Sequence, residues 1–184
     1  RTAASRSART AHGGAARRSA CRGIVISGLD RENASFDDTL KALQDVWGSR
    51  CLPVVVPSKD GKGVVDVLGS DVPADMKDEA ELLKSALIES AAETDDALIE
   101  KYLGGESLTA EEISNGLRGA VKSAKLVPVF AAMPKKEAGV VELLASLQRL
   151  FPSPAEREVK DIDGNAIDTA AGAPLVGQVW RAVN

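Results

Sequence analysis

The stretch Gly23–Gly48, GIVISGLDRENASFDDTLKALQDVWG, reads as strand, turn and helix in succession. GIVIS is a β-branched apolar run of the kind that fills a parallel strand buried on both faces. GLDREN turns the chain. Ser35 then opens a helical pattern through Phe36, Leu40, Leu43 and Trp47 that stops at Gly48. Working outward, Leu52–Val56 (LPVVV) is a second expected strand, SKDGKG (Ser58–Gly63) its turn and Val64–Leu68 a third strand. From Pro73 the period changes to 3.6. Met76, Ala80, Leu83, Leu87 and Ala91 then share one helical stripe, with Asp78, Glu81, Ser85 and Glu89 on the other side. Thr94 or Asp95 caps a shorter helix containing Leu98, Ile99, Tyr102 and Leu103, stopped by Gly104 and Gly105. Thr109 with Glu112 three residues later is a capping box, so a further helix is expected to about Lys122. Leu126–Phe130 (LVPVF) is a returning buried strand. Val140–Leu150 is a last helix before Pro152 and Pro154, and Leu175–Val183 is one more strand, the opening of a following β domain. Strand, helix, helical insertion, strand and helix in that order make an α/β layout.

Charge is unevenly spread along the 184 residues. Residues 1–22 carry six arginines and no carboxylate, leaving 17 basic against 27 acidic residues beyond them, a net of −10. So acidic a body, with three Phe, two Trp and one Tyr, does not suit tracking phosphates or stacking bases, and direct DNA binding is not expected. The basic segment has no large apolar residue to bury, so disorder is its default reading. Its Arg-rich, acid-free composition also describes organelle transit peptides. No apolar run approaches the ~18 residues of a membrane span. Cys21 and Cys51, without a CxxC or histidine partners, read as reduced thiols of an intracellular protein. The single histidine, His12, lies in the basic segment, so the body has no imidazole for a triad, a zinc site or a general base.

ESAAETDDALIEKYLGGESLTAEEI (Glu89–Ile113) closely resembles the helical part of the insertion subdomain of elongation factor G, the ribosomal translocation GTPase. The frame around it is collinear with that family. SGLDREN (Ser27–Asn33) stands where the family has its NKxD motif followed by Arg-Glu. PVVVP and GKGVVDVL stand at its PIQLPIG and FKGVVDLV strands. KLVPVFAAMPKKEAGVVELLASLQRLFPSP (Lys125–Pro154) is similar to its return into the GTPase domain and exit toward domain II. The resemblance covers about residues 23–184. It implies a partial P-loop-GTPase-type parallel sheet with an inserted α/β subdomain and the first strand of a β-barrel domain. The divisions are a basic tail (1–22), a distal GTPase strand and helix (23–50), the insertion (51–124), the return (125–154) and a linker with the start of domain II (155–184).

In that family GTP hydrolysis drives translocation of tRNA and mRNA, and the insertion meets the stalk of the large ribosomal subunit. The resemblance therefore implies a cytoplasmic, ribosome-associated protein. It also marks what is missing. No GxxxxGK[ST] phosphate loop occurs, and the switch segments with their Mg²⁺ threonine and water-orienting histidine would precede Gly23. GKG at Gly61–Gly63 has the wrong spacing and reads as a β-turn. The guanine site survives only in degraded form: the NKxD positions are Ser27, Gly28 and Asp30. The second base-contacting string falls at Met133, Pro134 and Lys135, or one register earlier at Ala132, and matches in neither register. Only the Asp30 carboxylate could accept the base's N–H donors. Asp30 reads equally well as a turn or helix-cap carboxylate. Binding of GTP or GDP is thus expected to be weak or absent, with no Mg²⁺ site and no catalytic residue.

Asp161, Asp163 and Asn165 alternate like the start of an EF-hand loop, but the sixth and twelfth positions are Ala166 and Gly172, so a turn is expected instead. Trp47 and Trp180 fall on apolar stripes as core candidates. Asp78, Glu81 and Glu89 form an acidic strip suited to a basic stalk-protein surface, or simply a solvated face. Val25 and Val129 are expected in strands left with open edges if their sheet neighbours belong to an upstream half.

Overall fold

The protein is described from a computed structural model, which covers residues 21–94, 96–105, 108–153, 156, 159–160, 165–168 and 172–173. The elements run β1 (Ile24–Ser27), α1 (Phe36–Trp47), β2 (Cys51–Pro57), β3 (Val64–Asp66), a 3-10 turn (Ala74–Met76), α2 (Lys77–Ala92), α3 (Asp96–Leu103), α4 (Ala110–Lys122), β4 (Val127–Ala132), a second 3-10 turn (Pro134–Lys136) and α5 (Val140–Leu150). A first compact unit ends at Phe151. The second, from Pro152, contains the two-residue strands β5 (Val159–Lys160) and β6 (Ala166–Ile167), which pair antiparallel.

The first unit is built on an open, mostly parallel four-stranded sheet in the order β1-β4-β2-β3. Strands β1 and β2 both run parallel to β4, and β3 returns antiparallel on β2. The α/β layout read from the sequence is therefore the architecture found. All six residues of β4 are buried, as expected for a strand covered on both faces and paired on both sides. This corrects the expectation for Val129. It is 0% exposed at the centre of the sheet, because β2 supplies the parallel neighbour that the sequence left to an absent segment. Only Val25 keeps an open strand edge beside it. The β2–β4 register shifts between Pro53 and Val55, where Pro53 has no N–H to donate. Residues 51–66, assigned by sequence to the insertion, share their sheet with β1 and β4.

Local chemistry sets the helix limits. The Ser35 hydroxyl accepts from the Asp38 N–H at 3.1 Å, and Asp37 and Asp38 lie in the first turn of α1, where the helix dipole favours them. Asp30 is therefore not the cap of this helix. On α2, Ala80, Leu87 and Ala91 are buried, as is Met76 in the turn before it, with Leu83 packed at their edge. Asp78, Glu81 and Glu89 are exposed. Thr94 does not cap α3. Its hydroxyl donates to the Ala91 carbonyl at 2.6 Å and so closes α2 instead; Asp95, the other cap candidate, lies outside the described residues.

The capping box of α4 is complete. The Thr109 hydroxyl accepts from the Glu112 N–H, and the Glu112 carboxylate accepts from the Thr109 N–H at 2.9 Å. Lys101 of α3 pairs with the same carboxylate, tying the two helices together. Helix α4 crosses α2 at Gly116, where a Cβ would stand 2.9 Å from both the Cβ and the carbonyl oxygen of Ala91. Helix α5 is fixed to the sheet by Arg149, whose guanidinium donates to both Asp66 oxygens at 3.0 and 3.2 Å. Trp47 packs at the edge of the core with the Arg22 guanidinium 5.8 Å from its ring centroid. His12, Asp161, Asp163, Trp180 and the Leu175–Val183 strand lie outside the described residues.

Candidate functional site

Open α/β sheets bind ligands at the carboxyl ends of their parallel strands. Here β1 and β4 end side by side, with Ser27 paired to Ala132, so the chain leaves the sheet through Ser27–Asp30 and Met133–Glu137 at one rim. Four sequence candidates, Ser27, Gly28, Asp30 and Met133, are thereby brought to neighbouring positions although more than 100 residues separate the two segments.

Each brings different chemistry to the rim. Ser27 is exposed. Gly28 has φ +80°, a conformation open to glycine, and its carbonyl accepts from the Arg31 N–H at 3.2 Å to close a turn. A second turn follows from Arg31 to Ala34 through Asn33 at φ +61°. Asp30 is half-buried, and its carboxylate has no hydrogen-bond or ion-pair partner among the described residues. It is neither a cap nor a structural brace. Met133 contributes no exposed side chain. It is 1% exposed, and its main chain bonds in both directions with Ala138 (2.9 and 3.2 Å), which folds Pro134–Glu137 back over the strand end. Gly139, at φ +84°, permits this fold because a Cβ there would stand 2.7 Å from the Ala131 carbonyl oxygen.

One residue at the rim escaped sequence reasoning. A Cβ on Gly28 would lie 3.5 Å from Arg31 Nε and 3.8 Å from its Cδ, so Arg31 lies in ordinary contact with the place of a side chain at position 28. The cue was the empty place itself: a glycine at φ > 0 leaves room that a long neighbour three residues on can take. A second such residue is Leu82. It is 74% exposed in the middle of the acidic strip formed by Asp78, Glu81 and Glu89 on α2.

The SKDGKG turn sits at the end of the β2–β3 hairpin. Ser58 N–H donates to the Gly63 carbonyl at 3.0 Å. The Asp60 carboxylate, held below the usual range first by the Ser58 hydroxyl and then by the Lys62 N–H, organises the tip. Lys136 Nζ donates to the Gly61 carbonyl at 2.9 Å, joining this turn to the one after β4. Lys59 Nζ of the turn likewise donates to the Asp75 carbonyl. A separate cleft of about 320 Å³ lies between α3 and α4, lined by Thr94, Leu98, Asn115, Gly116, Gly119, Ser123 and Lys125. Among the described residues that line it, the one cation, Lys125, donates to the Glu93 carbonyl at 2.9 Å, and none is a carboxylate.

With this geometry in place, the chain can be set beside known proteins. No protein-family model matches it. Among solved structures it is similar to a protein from Thermus thermophilus, with a TM-score of 0.68 and 29% sequence identity. The alignment covers 79% of this chain and 24% of that one, so this chain spans about a quarter of the neighbour's length. Among the described residues, no group of three or more His, Cys, Asp or Glu side chains could hold a metal ion, and no helix is long and apolar enough to cross a membrane. The Cys51 thiol is raised above its ordinary pKa by burial, against a smaller opposing pull from Arg50, which leaves it an inert core group.

Proposed function

We propose that this chain corresponds to the distal part of an elongation factor G-like translational GTPase, and that it works by docking on the large ribosomal subunit. The observation carrying this reading is the rim itself. The segments that stand at the family's NKxD motif and at its second guanine-contacting string leave adjacent parallel strands at the same end, with the Asp30 carboxylate unengaged in the loop after β1. The likeness at 29% identity to a chain of which the alignment covers only 24% supports treating it as a part of a larger architecture. On this reading the protein acts in the cytoplasm. Organelle import through residues 1–22 is the alternative.

Nucleotide chemistry is not expected of this chain alone. Ser27 and Gly28 replace the Asn and Lys of the motif, and leaving a buried polar group of the base without its partner costs roughly 1–3 kcal/mol. Arg31 lies beside Gly28 but does not replace the lost amide. A non-enzymatic stalk-docking module, or a decayed paralogue, is the second reading, favoured by those two replacements. In both, Asp78, Glu81 and Glu89 form the face presented to a basic stalk-protein surface, with Leu82 as its apolar centre.

Two measurements test the proposal. Titration calorimetry with GDP and Mg²⁺ should give no binding tighter than Kd ~10 μM; a tighter value refutes the loss of the nucleotide site. Pull-down with the large-subunit stalk protein should recover the chain at low salt and lose it at high salt. The Asp78→Lys, Glu81→Lys, Glu89→Lys triple variant should be recovered poorly, since rim charges govern association and its salt response. Equal recovery of both proteins refutes the docking role.

A further inference from the structure

Helix α3 has eight residues, too few to hold a helix in water without support, so it depends on what it leans against. Unlike α2 and α4, it sends no described side chain into the hydrophobic core. Leu98 and Ile99 are half-buried, while Tyr102 is 40% and Leu103 78% exposed. It packs on α2, and the cleft of about 320 Å³ lies between it and α4. Polar ties span that gap at both ends. Just before α3, the Thr94 hydroxyl reaches the Gly116 carbonyl at 3.3 Å. In its last turn, Lys101 pairs with Glu112 in the first turn of α4. Gly105, at φ +75°, follows the helix with nothing packed beside it.

We propose that α3 is a strap over the cleft, which opens as a unit while α2 and α4 stay folded, with the Lys101–Glu112 pair as its latch. Folded proteins open locally where buried apolar contacts are few. Helix α3 is such a place, and its neighbours are not. Leu87 and Ala91 of α2, and Leu117, Ala120 and Val121 of α4, are all 0% exposed. Those two helices meet directly at Ala91 and Gly116, so their packing does not run through α3. Nor does the start of α4 depend on the latch, because Thr109 and Glu112 hold each other through the capping box. The paired side chains of Lys101 and Glu112 are 46% and 27% exposed, so dissolved salt screens them. Ionic strength thereby sets how often the strap lifts and uncovers the wall of Asn115 and Gly119. This device is independent of the nucleotide rim and of the acidic strip on α2.

Hydrogen exchange of the full chain, read by NMR after correction for intrinsic rates, tests it. Amides 100–104 should share one opening constant, at least ~10-fold larger than that of amides 117–121. Lys101→Met should raise exchange of the first set about threefold, as expected of a partly exposed ion pair, and leave the second unchanged. Raising NaCl from ~0.05 to ~0.5 M should do the same to wild type and little to the variant. Leu98→Ala removes apolar support inside the cleft, so it should speed exchange in α3 without shifting the global melting curve. Exchange of both sets at one rate would make α3 part of the cooperative core and overturn the proposal. Unrelated rates along amides 100–104 would mean fraying from the end and overturn the concerted strap, and exchange insensitive to Lys101→Met would overturn the latch.

Discussion

Gly116 and Gly119 lie one turn apart on α4, and the same substitution at the two sites should move stability in opposite directions. In an exposed helix, glycine to alanine gains about 1 kcal/mol of propensity. At Gly119 nothing opposes that gain, because a new Cβ would meet the Thr94 side chain at 3.6 Å, an ordinary contact. Gly119→Ala should therefore stabilise by about 0.5–1 kcal/mol. At Gly116 the new Cβ would lie 2.9 Å from both the Cβ and the carbonyl oxygen of Ala91, and 3.2 Å from the Ala91 carbonyl carbon. Carbon atoms pack at about 3.5–4.0 Å. Two of these neighbours are backbone and cannot swing aside, so α2 and α4 must separate. Overpacking of this kind costs about 1–3 kcal/mol. With backbone in the way the upper half of that range applies, and after the propensity gain Gly116→Ala should be destabilised by about 1–2 kcal/mol. For a chain of this length 1 kcal/mol is about 2–4 °C in Tm. Urea unfolding followed by far-UV circular dichroism, with an unchanged m-value, measures both variants. A Gly116→Ala protein as stable as wild type would mean that α2 and α4 do not meet as closely as described.

Three further outcomes are expected. Ser146 is fully buried with its hydroxyl unpartnered among the described residues, so Ser146→Ala should stabilise by about 1 kcal/mol in the same urea assay; a loss of stability would reveal a hidden partner. Glu112 is held down to about 2, first by Lys101 and then by the Thr109 N–H and hydroxyl. A carboxyl depressed in the folded state stabilises above its unfolded pKa and loses that contribution as pH falls from about 4.5 to 2. The stability difference between wild type and Glu112→Gln should thus shrink across that window, and a difference that is constant with pH contradicts the pairing. Finally, Cys21 is partly exposed while Cys51 is buried with its thiol pKa raised, so a thiol reagent should modify Cys21 alone in the native protein. Mass spectrometry of the labelled peptides reads this directly, and fast labelling of Cys51 would show that β2 opens.

What the sequence revealed and what it hid follow from the range of the forces involved. The Thr109–Glu112 box, the Ser35 cap and the Met76–Ala91 stripe are contacts within a turn or two of helix, and each appears in the structure as read. Strand identity was equally legible, since LPVVV and LVPVF can hardly be anything but buried. Strand order was not. Nothing local to Val129 tells whether β2 or a segment outside the chain lies beside it, because that pairing joins residues over 70 positions apart. The rim was half legible. Motif resemblance put Ser27, Gly28 and Asp30 together with Met133, but the burial of Met133 depends on the 133–138 fold-back, and the position of Arg31 depends on a positive φ at Gly28. The outer face of α5 was hidden for the opposite reason. A helix so rich in apolar residues reads as buried, and only its packing against the sheet and α4 shows which side is covered.

The place of β4 between β1 and β2 also has a temporal side. Val127 follows Ser27 by 100 residues, so the strand that separates the first two is the last of the four to be made. At about 5–20 residues per second, β1 waits roughly 5–20 s on the ribosome before its neighbour is synthesised. Closing a loop of that length costs about 4 kcal/mol of chain entropy before any pairing repays it. During that interval the Ile24–Ser27 segment is an apolar strand with neither edge satisfied. Slow codons before Val127 would lengthen its exposure, and a nascent-chain chaperone that holds extended apolar segments would find its clearest target there.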